Sequence, residues 1–126
     1  MVDLTVAEKL KYKPGMLAAL LHVPPGVAIG VPEDIRVPGP AGADFIIDFA
    51  VTQAEAEDRL KALAGTAGEK VVAWIGYPKG SRAAGFDLSR DTIAAAARAH
   101  GLVVNANFAI DETWSAVRVR PLRPGE

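Results

Sequence analysis

A chain of 126 residues, half of them hydrophobic and 23% charged, has the size and composition of one soluble globular domain with a single core. Its net charge of −1 gives no cationic excess for a nucleic-acid backbone, which disfavours nucleic acid as a partner. With no cysteine and only His22 and His100 as histidines, disulfides, thiolate chemistry, Cys-ligated metal and His-rich metal sites are excluded.

Met1-Val2-Asp3 leads into no signal-peptide hydrophobic region, and the apolar runs fall far short of the ~20 residues that cross a bilayer. A cytoplasmic protein without membrane association is expected, and the abundance of Ala, Gly and Pro suits a GC-rich bacterial genome. The first element is a short helix. Thr5 and Glu8 have capping-box spacing, Val6 and Leu10 share a face, and Lys13-Pro14-Gly15 ends the element. Leu17 to Val23 is apolar except for His22 and reads as the first strand. Pro24-Pro25-Gly26 then turns the chain. Where an α/β unit would place a full helix, Gly30 and Pro32 leave room for one turn at most. Ile35-Arg36-Val37 is a short strand, and 38–42 is a glycine- and proline-rich loop.

Asp44 to Val51 contains the second long strand, Phe45-Ile46-Ile47-Asp48-Phe49. Thr52 and Glu55 form a second capping box. The helix they begin reaches about Ala64, with Ala56, Leu60 and Leu63 as its buried stripe. Glu55–Arg59 and Glu57–Lys61 are spaced as solvent-side i,i+4 pairs, and Gly65 and Gly68 close the helix. Val71 to Tyr77 carries no charge and is rich in β-branched and aromatic residues. It reads as a central strand buried on both faces. The loop after it, Pro78-Lys79-Gly80-Ser81-Arg82, lies at the carboxyl end of that strand, where open α/β sheets hold ligands. Cap residues in 87–91 start a helix from about Arg90 to His100, with Gly101 as its C′ residue. Leu102 to Ile110 and Trp114 to Arg120 are strands joined closely enough to form an antiparallel hairpin, and 121–126 is a loose tail. Strands alternating with helices imply a doubly wound α/β domain with a mostly parallel sheet spanning 1–126.

A parallel α/β sheet closed by an antiparallel hairpin resembles the class I methyltransferases, a Rossmann-like fold in which the last strand inserts antiparallel beside the fifth. Three stretches narrow the likeness: Lys13-Pro14-Gly15-Met16 with Pro24-Pro25-Gly26, Pro78-Lys79 with Asp87-Leu88-Ser89-Arg90-Asp91-Thr92, and Ile110-Asp111-Glu112-Thr113-Trp114-Ser115. Together they are similar to a family of short bacterial proteins known as domain of unknown function 3052. The resemblance to methyltransferases implies S-adenosylmethionine as cofactor. Yet the glycine-rich turn those enzymes carry after strand one is here Pro24-Pro25-Gly26, whose prolines lack N–H donors. The acid that ends their strand two is absent after Ile35-Arg36-Val37.

Several side chains can carry chemistry, and each has a structural alternative. Lys79, Ser81 and Arg82 can hold an anion or form a solvated loop. The spacing is not that of a P-loop. Asp48 can face the ligand crevice, or it can accept backbone N–H groups or pair with Lys79. His22 has no evident Ser, Cys or carboxylate partner in the sequence and reads as structural, and His100 reads as a helix cap. Asp111 and Glu112 can act as an acid/base pair or shape the hairpin turn and meet Arg118 or Arg82, with Trp114 packing beside them. The leading expectation is a non-catalytic module, without cofactor, that binds a partner protein or a small anionic ligand through Pro24, Gly26, Asp48, Lys79, Ser81 and Arg82. The alternative is a divergent S-adenosylmethionine-dependent methyltransferase using the crevice beside Pro24, Asp48 and Lys79.

Overall fold

A computed structural model describes residues 6–13, 15–27, 29–31, 35–37, 39, 42–66, 71–79 and 88–122. The elements in chain order are α1 (Val6–Lys9), β1 (Ala18–Leu21), β2 (Phe45–Phe49), α2 (Gln53–Thr66), β3 (Val72–Pro78), α3 (Arg90–Ala99), β4 (Leu102–Ala109) and β5 (Trp114–Pro121). The five strands form one sheet in the order β1-β2-β3-β5-β4. β1, β2 and β3 run parallel. β5, last in the chain, inserts between β3 and β4 and is antiparallel to both, as the methyltransferase resemblance implies. Among the described residues, no helix is long and apolar enough to cross a membrane.

The burial pattern follows from strand pleating. Every residue of β2 and β3 is buried, because successive side chains point to opposite faces and both faces are covered. On one face Ile46, Ala73, Ile75, Val117 and Val119 pack with Leu60 and Leu63 of α2 and with Ile93, Ala96 and Ala97 of α3. On the other, Phe45, Ile47, Phe49, Val72 and Trp74 pack with Ala7 and Leu10 at the N-terminal helix and with Ile29 and Val31. The Trp74 indole N–H donates to the Leu10 carbonyl at 2.8 Å, which fixes the N-terminal segment on the sheet without leaving a buried donor unpaired.

Several sequence expectations need adjusting. α1 stops at Lys9 rather than at Lys13-Pro14-Gly15, and Lys11 adopts a left-handed φ of 75° just beyond it. Thr5 lies outside the described residues. Ile35-Arg36-Val37 makes a single parallel bridge, Arg36 to Ala18, rather than a strand. α2 runs through Gly65 to Thr66, while Gly68 lies outside the described residues. At its start Thr52 Oγ1 accepts the Glu55 N–H, but the Glu55 carboxylate takes the Val51 N–H instead of that of Thr52. The capping box is thus displaced by one residue. Ser89 is the N-cap of α3, in a reciprocal box with Thr92, and His100 is its C-cap. At the C-terminus Pro121 belongs to β5, and the Leu122 N–H donates to Gly101. Those two residues are therefore tied down, and residues 123–126 lie outside the described set.

Gly76 of β3 pairs with Phe49 of β2, and a Cβ built on it would lie 2.5 Å from the Phe49 ring. The ring covers the glycine, and Trp114 meets it edge-on with centroids 5.6 Å apart. Gly76→Ala is expected to overpack this contact and lower stability by about 1–3 kcal/mol, read from urea unfolding. Phe49→Leu in the same chain should recover part of the loss. Additive effects of the two substitutions would mean that the ring moves aside freely.

Candidate functional site: a crevice at the ends of β1 and β2

The chain leaves β1 toward the sheet's outer edge, packing Ile29 and Val31 on one face before Arg36 returns to pair with Ala18. It leaves β2 in the opposite direction, through α2 on the other face, to reach β3. Adjacent parallel strands whose connections diverge in this way open a crevice at their carboxyl ends. Here it measures about 380 Å³ and is lined by His22, Val23, Pro24 and Pro25 after β1, Phe49, Ala50 and Val51 at the end of β2, and Glu55 and Arg59 from α2. A second hollow of about 470 Å³ lies along the outer edge of β1, between Leu20, Val27, Ile29 and Val37, and shares Val23 as a wall. Both volumes fall in the range of small-molecule sites.

The polar centre of the crevice is His22 with Asp48. Leu21 pairs with Asp48 in register, so His22 is the next residue along. Its φ of 53° is a left-handed turn that costs backbone energy in a residue with a Cβ, and it accompanies the return of the ring onto β2. Nδ1 lies 2.7 Å from Asp48 Oδ1. The Asp48 residue is only 4% exposed. Such a carboxylate needs partners to offset its lost hydration, and Arg59 of α2 supplies the second, with Nε 3.4 Å from the same oxygen. Arg59 also donates to the Phe49 carbonyl and binds Asp58 through Nη1. Its side chain is 14% exposed. Arg59 therefore turns toward the sheet instead of forming the expected surface pair with Glu55, and Glu57–Lys61 is likewise not formed among the described residues.

The structure unites some of the anticipated residues and separates others. Pro24 lines the crevice. Gly26 takes a φ of 84° in a turn closed by the Val27 N–H on the Pro24 carbonyl at 3.2 Å, a position where a type II turn requires glycine. Asp48 lies beneath the crevice, paired with His22 and Arg59 rather than with Lys79. His22, read from sequence as lacking a carboxylate partner, thus has one. Lys79 is exposed, its N–H donates to Thr113, and it does not line the crevice. Ser81 and Arg82 lie outside the described residues. Asp111 Oδ1 accepts the N–H groups of Thr113 and Trp114, each at 2.8 Å. This is a turn-forming role, with no ion pair to Arg118 among the described residues. Glu112 is exposed at the tip. Trp114 is half-buried and reaches the crevice only through Phe49. The signal for the His22–Asp48 pair was present in the sequence: each is the polar interruption near the carboxyl end of an otherwise apolar strand.

No protein-family model and no curated protein matches the chain. Solved structures do. An O-methyltransferase (NcsB1) from neocarzinostatin biosynthesis, in complex with S-adenosylmethionine and 2-hydroxy-5-methyl naphthoic acid, is 24% identical over 68% of this chain and 31% of its own, with a TM-score of 0.55. LepI, in complex with SAM, is 19% identical over 92% of this chain and 38% of its own, with a TM-score of 0.56. A TehB-like SAM-dependent methyltransferase from Corynebacterium glutamicum is 12% identical over 95% of this chain and 89% of its own, with a TM-score of 0.54. The fold is that of a class I methyltransferase. The chain spans about a third of the length of the first of these structures, and identities this low establish the fold alone.

The polar groups that face the crevice decide what it can hold. The crevice has suitable size and an apolar wall. Of residues 24–27 only Gly26 and Val27 possess an N–H, and that of Val27 is spent on Pro24, so backbone amides contribute little to anion binding. A side chain can replace them. Nη2 of Arg59 has no protein partner among the described residues while Nε and Nη1 are engaged, and the residue lines the crevice. The crevice thus presents a guanidinium, rather than a row of backbone amides, to an anion. Arg59→Met keeps the apolar stem and removes the charge. It is expected to cost about 1–3 kcal/mol in urea unfolding by leaving Asp48 underpaired. Adding Asp48→Asn should restore part of the loss, and strict additivity would mean that the two groups do not interact.

Proposed function

We propose that this chain is a divergent S-adenosylmethionine-dependent methyltransferase, with the cofactor held across the ends of β1 and β2. The observation that carries the reading is the small-molecule-sized crevice at the topological switch point of a class I methyltransferase sheet. That similarly folded proteins have been solved with S-adenosylmethionine agrees with it. When bound, the cofactor supplies an electrophilic methyl group on a sulfonium. Arg59 would offer a guanidinium to its carboxylate, and Pro24, Phe49 and Val51 would supply the apolar wall beside it. The two hollows that share Val23 give room for an amino-acid end and a nucleoside.

A second reading, a non-catalytic module that binds a partner protein or a small anion in the same crevice, is favoured by two features of the sequence. The Pro24-Pro25 turn and the missing acid after Arg36-Val37 remove two usual cofactor contacts. Calorimetric titration with S-adenosylmethionine and S-adenosylhomocysteine separates the two readings. Methyl transfer predicts micromolar binding, about ten-fold or more weaker in Arg59→Met. Absence of binding at millimolar cofactor would leave the binding module as the function.

A further inference from the structure

We propose that the outer edge of β4 is an interface for a second copy of this chain, paired antiparallel about Phe108 so that two five-stranded sheets become one. β4 ends the sheet, and among the described residues nothing pairs with its outer side. Natural edge strands are usually guarded by charges, proline or short length. β4 has eight residues, none of them charged or proline. Its ladder shifts register between Val104 and Ala106, and the pairing beyond that point is regular. The Ile110 N–H donates to the Trp114 carbonyl. By alternation the amides of Asn107 and Ala109 point outward, away from β5. The Asn107 side chain is held from inside, its Oδ1 accepting the hydroxyls of Tyr77 and Ser115 at 3.3 and 3.1 Å. This end of the edge is an ordered template with unpaired main-chain groups.

Three observations select a second copy as the occupant. Phe108 is 41% exposed, one of two large hydrophobic side chains left so among the described residues. Its ring meets Trp74 edge-on with centroids 6.4 Å apart, so it stands on the sheet face that carries Trp74. A two-fold axis at Phe108 sets Asn107 opposite Ala109 of the second copy, and the reverse, both as hydrogen-bonded pairs. The two Phe108 residues then form the non-hydrogen-bonded pair, where side chains come closest, and their rings cover each other. The charges agree with that register. α3 turns Ala95, Ala96 and Ala99 toward α2, so helical spacing puts Arg98 on the opposite side, over the outer edge of β4. Arg98 is exposed before the strand begins and Glu112 is exposed beyond its end. Neither has an ion-pair partner among the described residues. Within one chain the length of β4, ~25 Å, keeps the two apart. Antiparallel pairing brings Glu112 level with Val104 of the second copy, within reach of its Arg98, and the symmetry makes the contact twice. The opposite edge of the sheet does not compete, because Arg36 bridges β1 at Ala18 and the Val37 N–H donates there. The assembly therefore closes at two copies, and the crevice, on the far side of β3 from this edge, stays open.

The test is the mass of the full chain in solution, measured by light scattering and sedimentation over a range of concentrations. A monomer–dimer equilibrium is expected. Ala109→Pro removes an outward N–H at an exposed position that does not serve the β5 ladder, a place where edge strands accept proline. It should abolish the dimer while circular dichroism shows the fold retained. Phe108→Lys, which opposes like charges at the axis, should do the same and decides the matter if the proline variant fails to fold. Glu112→Arg should weaken association about ten-fold, and adding Arg98→Glu in the same chain should restore it to within about three-fold. A merely structural role for either residue gives no such rescue, since the two do not meet within one chain. A monomer up to millimolar concentration would overturn the proposal, as would masses that grow beyond the dimer. So would a dimer indifferent to Ala109→Pro and Phe108→Lys, which would place the contact on another face. Failure of Arg98→Glu to rescue Glu112→Arg would overturn the register about Phe108.

Discussion

A carboxylate only 4% exposed at the end of a parallel strand is a constraint that the surrounding elements must meet together. Left alone, Asp48 would cost several kcal/mol in lost hydration. Its two partners come from different elements, His22 from the turn after β1 and Arg59 from the second turn of α2. Satisfying one charge therefore fixes how β1 ends, how α2 sits on the sheet and where the crevice between them opens. The left-handed backbone of His22 and the inward course of Arg59 are the local costs of that arrangement, and the ion pair and hydrogen bond offset them.

The wall opposite depends on packing rather than charge. Gly76 has no side chain, so the Phe49 ring can lie against β3, and Trp114 closes over the ring from the start of β5. The hairpin thereby contributes to the crevice indirectly. Asp111 caps the turn with two charge-assisted hydrogen bonds. That places Trp114 at the level of Pro78, its partner in the ladder. On the far face the Trp74–Leu10 hydrogen bond keeps the N-terminal helix on the sheet. The polar end of the domain is thus supported by two apolar clusters, one on each face.

The departures from a usual cofactor turn and the presence of side-chain replacements belong together. A Pro-Pro turn cannot offer a row of N–H groups, and here the cation that can stand in for them projects from α2, next to the carboxylate that orients His22. Arg59 thereby joins the crevice wall to the buried carboxylate that His22 also contacts.

Much of this was legible in the chain itself. The uncharged run of β3, the buried stripe Ala56, Leu60 and Leu63, and the short Asp111–Thr113 connection are local patterns whose period and turn chemistry determine strand, helix and hairpin. Their order implies the doubly wound sheet. The mismatches lie where local signals compete: α1 ends early, with Lys11 left-handed just beyond it, and α2 continues through Gly65 despite that residue's weak propensity. The sequence also determined that His22 and Asp48 interrupt apolar strands. Only the tertiary structure decided that they meet, that Arg59 joins them rather than Glu55, and that Lys79 stands apart. Those outcomes depend on strand register and on which face α2 covers. Both are set by long-range pairing between residues far apart in the chain, for which periodicity along a single segment carries no signal.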